Sequence, residues 1–389
     1  MCGERLARAG YNVTIFEERP SWEKPCGGGL TRKAIEKYPF LLDNSLPKRE
    51  VNTAEIISGH RSGESQRVQF DLGRPIVIYS RKVLNTSLLE RAASAGCRVV
   101  ESRVASVNTH GDAPGEQVRL TAKGVEHKCD FVVLAGGARN QLLPDTTPLR
   151  PQDLEMTVGY FIPASEDVLK IKFLPQFEGY LWSFPRADHL SVGICGKMAE
   201  YSSQTLREHL ERFVSEEGLS THGAQFFAHV LPAPEADTIH HRRVAGRNWA
   251  LAGDAAACTD PITGEGLYYA LRSGDLLAEV LIREAPETYS AQLWTEFSED
   301  LEFAARIARV LFRGQFLGAA VTTRMVQFLR RSPTFRELVR DIFSGNQSYR
   351  TLKGRLWSQF GGTLAEIARS MFESPAAPRA QPFSSRSSN

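Results

Sequence analysis

The spacing of apolar and polar positions divides the first part of the chain into short helices and strands. Residues 3–9 (GERLARA) have the spacing of the last turns of an amphipathic helix, and Gly10 is a typical helix stop. Residues 11–18 (YNVTIFEE) then predict a short strand that ends in two acids. A helix of this length followed at once by a strand is typical of a βαβ unit whose first strand is absent.

Alternating apolar and polar positions predict a large antiparallel block in the middle of the chain. Residues 51–79 alternate and contain turn signals, and residues 156–196 are again rich in β-forming and aromatic residues. Helices are predicted over residues 81–95 and 203–217. Further strands are predicted in the segments CRVVESRVASVNTH and QVRLTAKGVEHKCDFVVLAGG, which lie between these two helices.

The pattern changes again in the last part of the chain. Residues 248–256 (NWALAGDAA) predict a strand that enters a turn, and residues 264–282 predict a long helix. Residues 291–345 have a helical pattern throughout and mix apolar with basic positions. Residues 374–389 are rich in Pro and Ser, a composition that predicts a disordered tail.

Together these elements predict an α/β fold. Parallel βα segments enclose an antiparallel block, which indicates a Rossmann-like nucleotide-binding domain, with its first strand missing, and an inserted antiparallel β substrate domain. A C-terminal helical region follows. The predicted boundaries are 1–50, 81–145 and 246–290 for the nucleotide-binding domain, 51–80 and 146–245 for the substrate domain, 291–373 for the helical region, and 374–389 for the tail.

Composition and charge exclude several classes of protein. The 389 residues are 42% hydrophobic and 24% charged, and a formal charge of +2 gives no support for a nucleic-acid partner. No run of about 18 apolar residues predicts a membrane-spanning helix, and Glu4, Arg5 and Arg8 interrupt any signal peptide. The six cysteines lack C-x-x-C spacing and metal-type His neighbours, so we expect no metal site and a cytoplasmic protein with reduced thiols.

The first candidate for binding chemistry is Glu17, at the end of the second predicted element. A dinucleotide-binding fold uses an acid at this position to accept hydrogen bonds from the adenosine ribose. The simpler interpretation is a solvated surface acid, which is common after strands. The glycine motif G-x-G-x-x-G that normally precedes such an acid is absent from the chain, and its place would lie just before Met1. We therefore expect an in-frame G-x-G-x-x-G upstream in the coding DNA.

The second candidate is the segment that follows the predicted strand at Trp249. Gly253 and Asp254 stand at the carboxyl end of this strand, and Gly264 and Gly266 lead into a helix N-terminus. An acid here could bond a ribityl hydroxyl of a flavin, while backbone N–H groups at the helix end face an electron-rich group. The alternative is an ordinary strand–loop–helix joint, but this spacing of Gly-Asp and two glycines is rarer than a single acid.

Four segments in this order carry a resemblance to a known family. They are FEERP at 16–20, KPCGGGL at 24–30, YLWSFP at 180–185, and AGDAAACTDPITGEGLYYAL at 252–271. With Arg81 and the stretch LAGGARN, the chain resembles the geranylgeranyl reductase family of flavoproteins, within the p-hydroxybenzoate hydroxylase-like FAD superfamily. The matched segments span most of residues 1–290. Asn85 and Gly136 depart from the superfamily, which often has Asp at both positions.

The resemblance implies an FAD site made of residues from both ends of the nucleotide-binding domain. By analogy, Glu17 would bind the adenosine ribose, and Ala105 would meet the adenine through its backbone. Arg81, which opens a helix, would contact FAD. The residues implied to lie against the flavin ring or its ribityl chain are Cys26, Gly27, Gly29, Asp254, Gly266 and Leu267.

Two further features, an aromatic strand and a cysteine, each have a functional and a structural interpretation. Alternation places Tyr180, Trp182 and Phe184 on one face of a strand, as an aromatic wall for a flavin or a polyprenyl chain, or as ordinary core packing. Cys26 is a candidate proton donor beside the flavin, or a small residue that packs well.

The resemblance implies an FAD-dependent oxidoreductase that reduces C=C bonds of an isoprenoid chain on a lipid, a chlorophyll precursor or a quinone. The electron donor would be NAD(P)H or reduced ferredoxin. One alternative is a flavin monooxygenase or halogenase of the same superfamily. Another is a non-catalytic remnant that binds a lipid or a partner protein. Residues 312–331 would cover an apolar tunnel or contact an anionic membrane, or would simply be a helix packed on its own domain.

Overall fold

The computed structural model describes residues 1–59, 65–109, 117–139, 142 and 148–372. The predicted disordered tail and the last residue of the LAGGARN stretch lie outside the described residues. The strands are β1 Thr14–Glu17, β2 Gly29–Leu30, β3 Lys48–Ser58, β4 Gln66–Tyr79, β5 Arg98–Glu101, β6 Val104–Asn108, β7 Val118–Ala122, β8 Val125–Cys129, β9 Val132–Leu134, β10 Leu154–Ile162, β11 Val168–Phe173, β12 Gly179–Pro185, β13 Leu190–Lys197, β14 Gln225–Pro232, β15 Trp249–Leu251, β16 Gln315–Phe316 and β17 Ala319–Ala320.

The four helices predicted in the first 290 residues are present as α1, α3, α4 and α6, and the short helices α2 and α5 were not predicted. Gly10, with φ +91, ends the first helix, and Ser80 accepts a hydrogen bond from Val83 N at the start of the third. The helices are α1 Cys2–Arg8, α2 Arg32–Lys37, α3 Arg81–Ser94, α4 Ser203–Glu216, α5 Ala236–His241, α6 Leu267–Ile282, α7 Tyr289–Leu293, α8 Glu299–Arg313, α9 Val321–Arg331, α10 Pro333–Phe343 and α11 Tyr349–Phe372.

A large mixed sheet dominates the middle of the molecule. Its strand order is β14-β10-β13-β12-β11-β3-β4-β2, and all neighbours are antiparallel except β11 and β3. The predicted antiparallel strands of residues 51–79 are therefore confirmed as β3 and β4. Helix α4 covers one face of the sheet through Leu206, Leu210 and Phe213, which pack on Val158, Val192 and other buried residues. The opposite face carries the aromatic side chains of β12.

Two pairs of parallel strands lie outside this sheet. Strand β1 pairs with β5, and β9 pairs with β15. In the described part of the chain these pairs form separate two-stranded sheets, and one cavity is lined by Ile15 of the first pair and Val133 of the second. Helix α6 is buried along most of its length in the core that includes β9 and β15. A small antiparallel sheet of β6, β7 and β8 completes this part.

The C-terminal region is helical, with one interruption that the sequence pattern did not predict. Residues 291–345 were expected to be helical throughout, but a short hairpin of β16 and β17 separates α8 from α9. Gly314 leaves the helical conformation, and Leu317 and Gly318 at the hairpin turn have φ values of +50 and +74. Apolar residues of α8, α9 and α10 pack on the face of β3 and β4, so this region forms part of the same core.

Candidate functional site

One large cavity contains all of the residues that the sequence singled out. Its volume is about 2820 Å³, and its walls come from both parallel strand pairs, the large sheet and the C-terminal helices. The structure therefore brings together side chains that are more than 200 positions apart in the chain. The predicted residues on its wall are Glu17, Cys26, Gly27, Gly29, Arg81, Ala105, Tyr180, Trp182, Phe184, Asp254, Gly266 and Leu267.

A buried arginine holds the loop that carries Cys26. Arg186 is 1% exposed, and its guanidinium donates to the Cys26 carbonyl oxygen and to the Glu23 carboxylate. Glu23 also accepts from the backbone N–H of Arg81 at 2.7 Å, so the same carboxylate fixes the start of α3. Ser191 donates a further hydrogen bond of 2.8 Å to the Cys26 carbonyl. The position of Cys26 is therefore set by strands β12 and β13 as well as by its own loop.

The Cys26 thiol faces two donors. Its sulfur accepts from the Gly28 N–H at 3.1 Å and from Nη1 of Arg81 at 3.3 Å. Nε and Nη2 of Arg81 donate to Oδ1 of Asn85, at 3.4 and 3.2 Å. Asn85 thus orients Arg81 without adding a negative charge, although the superfamily often has Asp there. Because both contacts use the sulfur as an acceptor, the hydrogen of the thiol is directed elsewhere.

Contacts within the protein require two of the three glycines after Cys26, Gly27 and Gly28. A methyl group added at Gly27 would lie 2.5 Å from the Phe184 ring, and one at Gly29 would lie 3.4 Å from it. Gly28 has φ +83 and would clash with the carbonyl oxygen of Tyr79. The Phe184 ring is thus one flat group beside this loop, as the sequence suggested. The glycines alone therefore carry no argument for a flavin.

Asp254 is a partly buried carboxylate that follows the carboxyl end of β15. Lys24 donates to Oδ2 at 3.2 Å, and the Thr259 hydroxyl donates to Oδ1 at 3.4 Å. Burial alone would raise the pKa of Asp254, but the positive charges of Lys24 and Arg81 outweigh burial and lower that pKa below its ordinary value. Asp254 is therefore a charged hydrogen-bond acceptor at the cavity wall at neutral pH.

A positively charged zone surrounds this carboxylate. The pKa of His229 is lowered to about 4, chiefly by burial and also by the positive charges of Lys24, Arg81 and Arg139. His229 is therefore neutral at neutral pH, and its ring contacts Trp22 with 5.9 Å between ring centroids. A diphosphate group in the cavity would meet several cations here, which is the environment such a group needs.

The loop before α6 is fixed by its own acidic residues. Oδ1 of Asp260 accepts from the N–H groups of Ile262 and Thr263 at 2.8 and 3.2 Å, and Oδ2 accepts from the Tyr349 hydroxyl at 2.8 Å. Glu265 accepts from Tyr268 N at 2.9 Å at the helix start, and burial raises its pKa to about 7. This loop is thus a rigid part of the cavity wall.

The three aromatic residues of β12 lie on the cavity side of the large sheet, as the alternation predicted. Tyr180 and Trp182 have ring centroids 6.2 Å apart at 62°, and Phe184 belongs to the same cluster. The Tyr180 hydroxyl donates to the Thr263 carbonyl at 2.6 Å, which joins the sheet to the loop before α6. The wall is therefore apolar on its surface and anchored at its polar end.

Glu17 and Ala105 line another part of the same cavity. Glu17 ends β1, and its carboxylate accepts from Arg19 N at 2.8 Å. Ala105 lies where the register of β6 against β7 shifts between Val104 and Ser106, so its backbone is displaced from the regular ladder. The arrangement presents a carboxylate and a strand backbone to the cavity.

The chemistry of these groups fits FAD. Two charged or hydrogen-bonding carboxylates, Glu17 and Asp254, suit sugar hydroxyls, the cations near His229 suit a diphosphate, and the aromatic wall suits a flat ring. The residues that would hold the cofactor come from β1, the Cys26 loop, α3, β6 and the loop before α6.

Comparison with known proteins gives related sequences of two kinds of reductase. A menaquinone reductase from Mycobacterium tuberculosis is 28% identical over 337 residues, covering 80% of this chain and 81% of that protein. A digeranylgeranylglycerophospholipid reductase from Methanoculleus marisnigri is 26% identical over 306 residues, covering 72% and 73%. No family model matches the chain.

The chain is a distant homologue of the geranylgeranyl reductase family. The resemblance drawn from the four sequence segments is thereby confirmed. These two homologues of the chain are reductases of isoprenoid compounds, a menaquinone in one case and a digeranylgeranyl lipid in the other.

Solved structures agree with this placement at the level of the fold. A geranylgeranyl bacteriochlorophyll reductase-like protein from Thermoplasma acidophilum has a TM-score of 0.70 at 19% identity and covers 95% of both chains. The flavin-dependent brominase Bmp2 has a TM-score of 0.65 at 15% identity, covering 93% of this chain and 96% of its own. The mixed α/β fold of this protein therefore matches that of flavin-dependent oxidoreductases.

Sequence reasoning missed three residues that shape this site. Arg186 and Glu23 hold the Cys26 loop, and Lys24 neutralises Asp254. Arg186 directly follows YLWSFP, and both other residues are within four positions of Cys26, so proximity to the motifs was the available signal. Their roles depend on contacts across more than 150 positions, which spacing cannot show.

Proposed function

We propose that the protein is an FAD-dependent oxidoreductase that reduces carbon–carbon double bonds of an isoprenoid chain. The observation that carries this proposal is the single cavity on which all twelve predicted residues lie. The names of its distant homologues support the reaction class and the isoprenoid substrate. Assignment of residues 1–50, 81–145 and 246–290 to cofactor binding, and of 51–80 and 146–245 to substrate binding, belongs to the same proposal.

The residues of the chain would hold FAD through complementary charges. Glu17 would accept from the adenosine ribose, Ala105 would meet the adenine, and Asp254 would accept from the ribityl chain. Gly266 and Leu267, at the N-terminus of α6, would offer backbone N–H groups to the ring. Bound FAD supplies hydride transfer, which no amino-acid side chain provides.

The same residues would prepare the cavity for an apolar substrate. Tyr180, Trp182 and Phe184 form a wall that excludes water and fixes the chain of the substrate. Cys26 is the candidate donor of the proton that a reduced double bond takes up. Arg81 holds its sulfur and Arg186 holds its carbonyl, so the thiol has a defined place beside the cavity.

The first test is the absorption spectrum of the purified chain after incubation with FAD and removal of unbound cofactor. We expect retained flavin bands, and anaerobic reduction by NADPH or by reduced ferredoxin, followed by transfer to geranylgeranyl diphosphate or menaquinone. Retained flavin whose reduced form consumes oxygen and converts neither isoprenoid would favour a monooxygenase or halogenase. Absence of any retained flavin would contradict the proposal.

Variants of Cys26 test its candidate role separately. Cys26→Ala removes the proton donor, and Cys26→Ser keeps a hydroxyl of similar size. We expect both to retain flavin, and Cys26→Ala to lose about a hundredfold in turnover, the range typical of a general acid, while Cys26→Ser retains more. Cys97→Ala, a substitution of a free thiol that does not line the cavity, is the control. Equal turnover of Cys26→Ala and the control would remove Cys26 from the mechanism.

A further inference from the structure

The most exposed apolar side chains of the described protein are concentrated in the C-terminal helical region. Leu317, Trp357 and Val310 have 70%, 69% and 62% of their surface exposed. These are the highest values among the large apolar residues that the structure describes. Phe316 and Leu356 are exposed as well. A monomeric protein seldom exposes large apolar side chains in one region without a use for them. We call these five residues the apolar rim.

The hairpin of β16 and β17 carries Phe316 and Leu317 and holds Leu317 at its exposed turn. Leu317 occupies the turn with φ +50, a conformation that costs a residue with a side chain about 1 kcal/mol. Arg324 donates to the carbonyl oxygen of Phe316 at 3.1 Å and also to that of Leu317, so its side chain fixes the turn. A glycine or an asparagine would fit this turn with less strain. The leucine is therefore not explained by the turn itself.

The apolar rim is continuous with the cavity. Val310, Phe316, Leu356 and Trp357 line the same cavity as Tyr180 and Asp254, so the cavity reaches solvent at these exposed side chains. The C-terminal helices contribute further apolar residues to the lining of this cavity. They include Ile307, Leu311, Met325, Phe328, Phe335 and Ile342.

The charge of this region differs from that of the rest of the chain. Residues 299–372 contain twelve Lys and Arg but six Asp and Glu, whereas the whole chain has a formal charge of only +2. Arg306 and Arg309 on α8 and Arg330 and Arg331 at the end of α9 are exposed. Exposed apolar side chains flanked by arginines suit the surface of an anionic bilayer, where the apolar groups enter and the cations meet lipid phosphates.

We propose that the apolar rim docks on an anionic lipid bilayer, with Leu317 and Trp357 inserted, so that an isoprenoid chain can pass directly from the bilayer into the cavity. The route for the substrate rests on the proposed function, but the docking itself does not require a bound cofactor. No helix in the described parts of the chain combines the length and the apolar character needed to cross a bilayer. The proposed contact is therefore with the membrane surface.

The test is co-flotation of the full chain with vesicles of phosphatidylcholine and phosphatidylglycerol. We expect wild type to float with these vesicles, to float less as salt concentration rises, and to float poorly with phosphatidylcholine alone. Leu317→Asn should lower the partition coefficient by about tenfold or more, because the apolar surface of one leucine is lost from the bilayer. Asparagine tolerates positive φ, so this variant should keep the hairpin and the fold.

Two controls separate docking from general loss of exposed apolar surface. Val125→Asn changes an exposed apolar residue, 56% exposed, on the small sheet and should float like wild type. Quenching by brominated lipid should be lower in Trp357→Phe than in wild type, which would place Trp357 in the bilayer. Equal flotation of wild type and Leu317→Asn would overturn the proposal. Sedimentation velocity that shows a dimer lost in Leu317→Asn, without vesicle binding, would assign the rim to a second copy instead.

The two proposals fail in different ways. Vesicle binding by a chain that retains no flavin would contradict the proposed function and leave the docking surface intact. Flavin retention with reduction of a short isoprenoid in solution, but no vesicle binding, would contradict the docking surface alone.

Discussion

At the scale of single residues, the charge of Asp254 is the most direct link between sequence and proposed cofactor. Asp254→Asn keeps the size of the side chain but removes the charge that Lys24 balances. We expect the affinity for FAD to fall roughly tenfold to a hundredfold, since a hydrogen bond to a charged group contributes about 1.5–3 kcal/mol. Titration of FAD against the chain, followed by fluorescence, measures the change. Asp43→Asn, an exposed acid outside the cavity, should leave the affinity unchanged.

A second residue-scale prediction concerns Glu155, a buried carboxyl group on the cavity side of β10. Burial raises the pKa of Glu155 from 4.5 to about 7, against the opposing charge of Lys197. Because the folded pKa lies above the unfolded one, its contribution to stability is complete below about pH 4.5 and is lost as pH rises through about 7. Glu155→Gln should remove this slope, a difference on the order of 3 kcal/mol across the window.

The measurement is the free energy of unfolding by urea at several pH values, for wild type and Glu155→Gln. His229 has the opposite slope, because a pKa lowered to about 4 makes its contribution fall as pH decreases from 6.5. Glu265, whose pKa is also raised to about 7, has the same slope as Glu155. Only the difference between the two proteins therefore isolates Glu155. Parallel curves for wild type and variant would contradict the assigned shift.

The sequence predicted individual residues where a motif named them, and failed where a role depends on a distant contact. Glu17 and Asp254 could be proposed because each stands at the end of a predicted strand. Arg186 could not, because its partners Glu23 and Cys26 are more than 150 positions away. The glycines of the Cys26 loop were associated with a flat group, and the structure shows that Phe184 is one such group.

At the scale of elements, the ion pair of Arg186 and Glu23 joins strand β12 to the Cys26 loop. Arg186→Met should cost about 1.5–3 kcal/mol of stability, because the partly buried Glu23 carboxylate loses its charged donor and keeps the hydrogen bonds from the Ser80 hydroxyl and the Arg81 N–H. The double variant with Glu23→Gln should cost less than the sum of the two single variants. Urea unfolding of all four proteins gives the coupling energy.

An exposed ion pair provides the matched control for that cycle. Arg49 pairs with Asp167, whose side chain is 87% exposed, so Arg49→Met should change stability by no more than about 1 kcal/mol. Additive costs for Arg186 and Glu23, or an equal cost at Arg49, would show that the buried pair does not hold the loop.

Periodicity predicted most elements well because each depends on local spacing. The antiparallel pair β3 and β4, helix α3 and the long helix α6 were all expected from their patterns. The hairpin between α8 and α9 was not, because two-residue strands have no period to detect. The place of α8–α11 on the wall of the cavity also depends on packing, which an amphipathic pattern does not specify.

At the scale of the whole molecule, one cavity joins the proposed cofactor site to an apolar wall. Neither half of that cavity is local in sequence, since its walls include residues of β1, β12, the loop before α6 and α11. The resemblance to a reductase family identified most of the residues that we propose to hold the cofactor. The apolar rim and its connection to the cavity could be recognised only from the folded chain.

A single-turnover experiment under anaerobic conditions tests most directly whether the protein reduces an isoprenoid with FAD. The chain is loaded with FAD, reduced chemically, separated from excess reductant and mixed with geranylgeranyl diphosphate. We expect the flavin bands to return and the product to gain two hydrogens for each double bond reduced, as measured by mass spectrometry. Flavin that stays reduced, with no change in the mass of the isoprenoid, would contradict the proposed function.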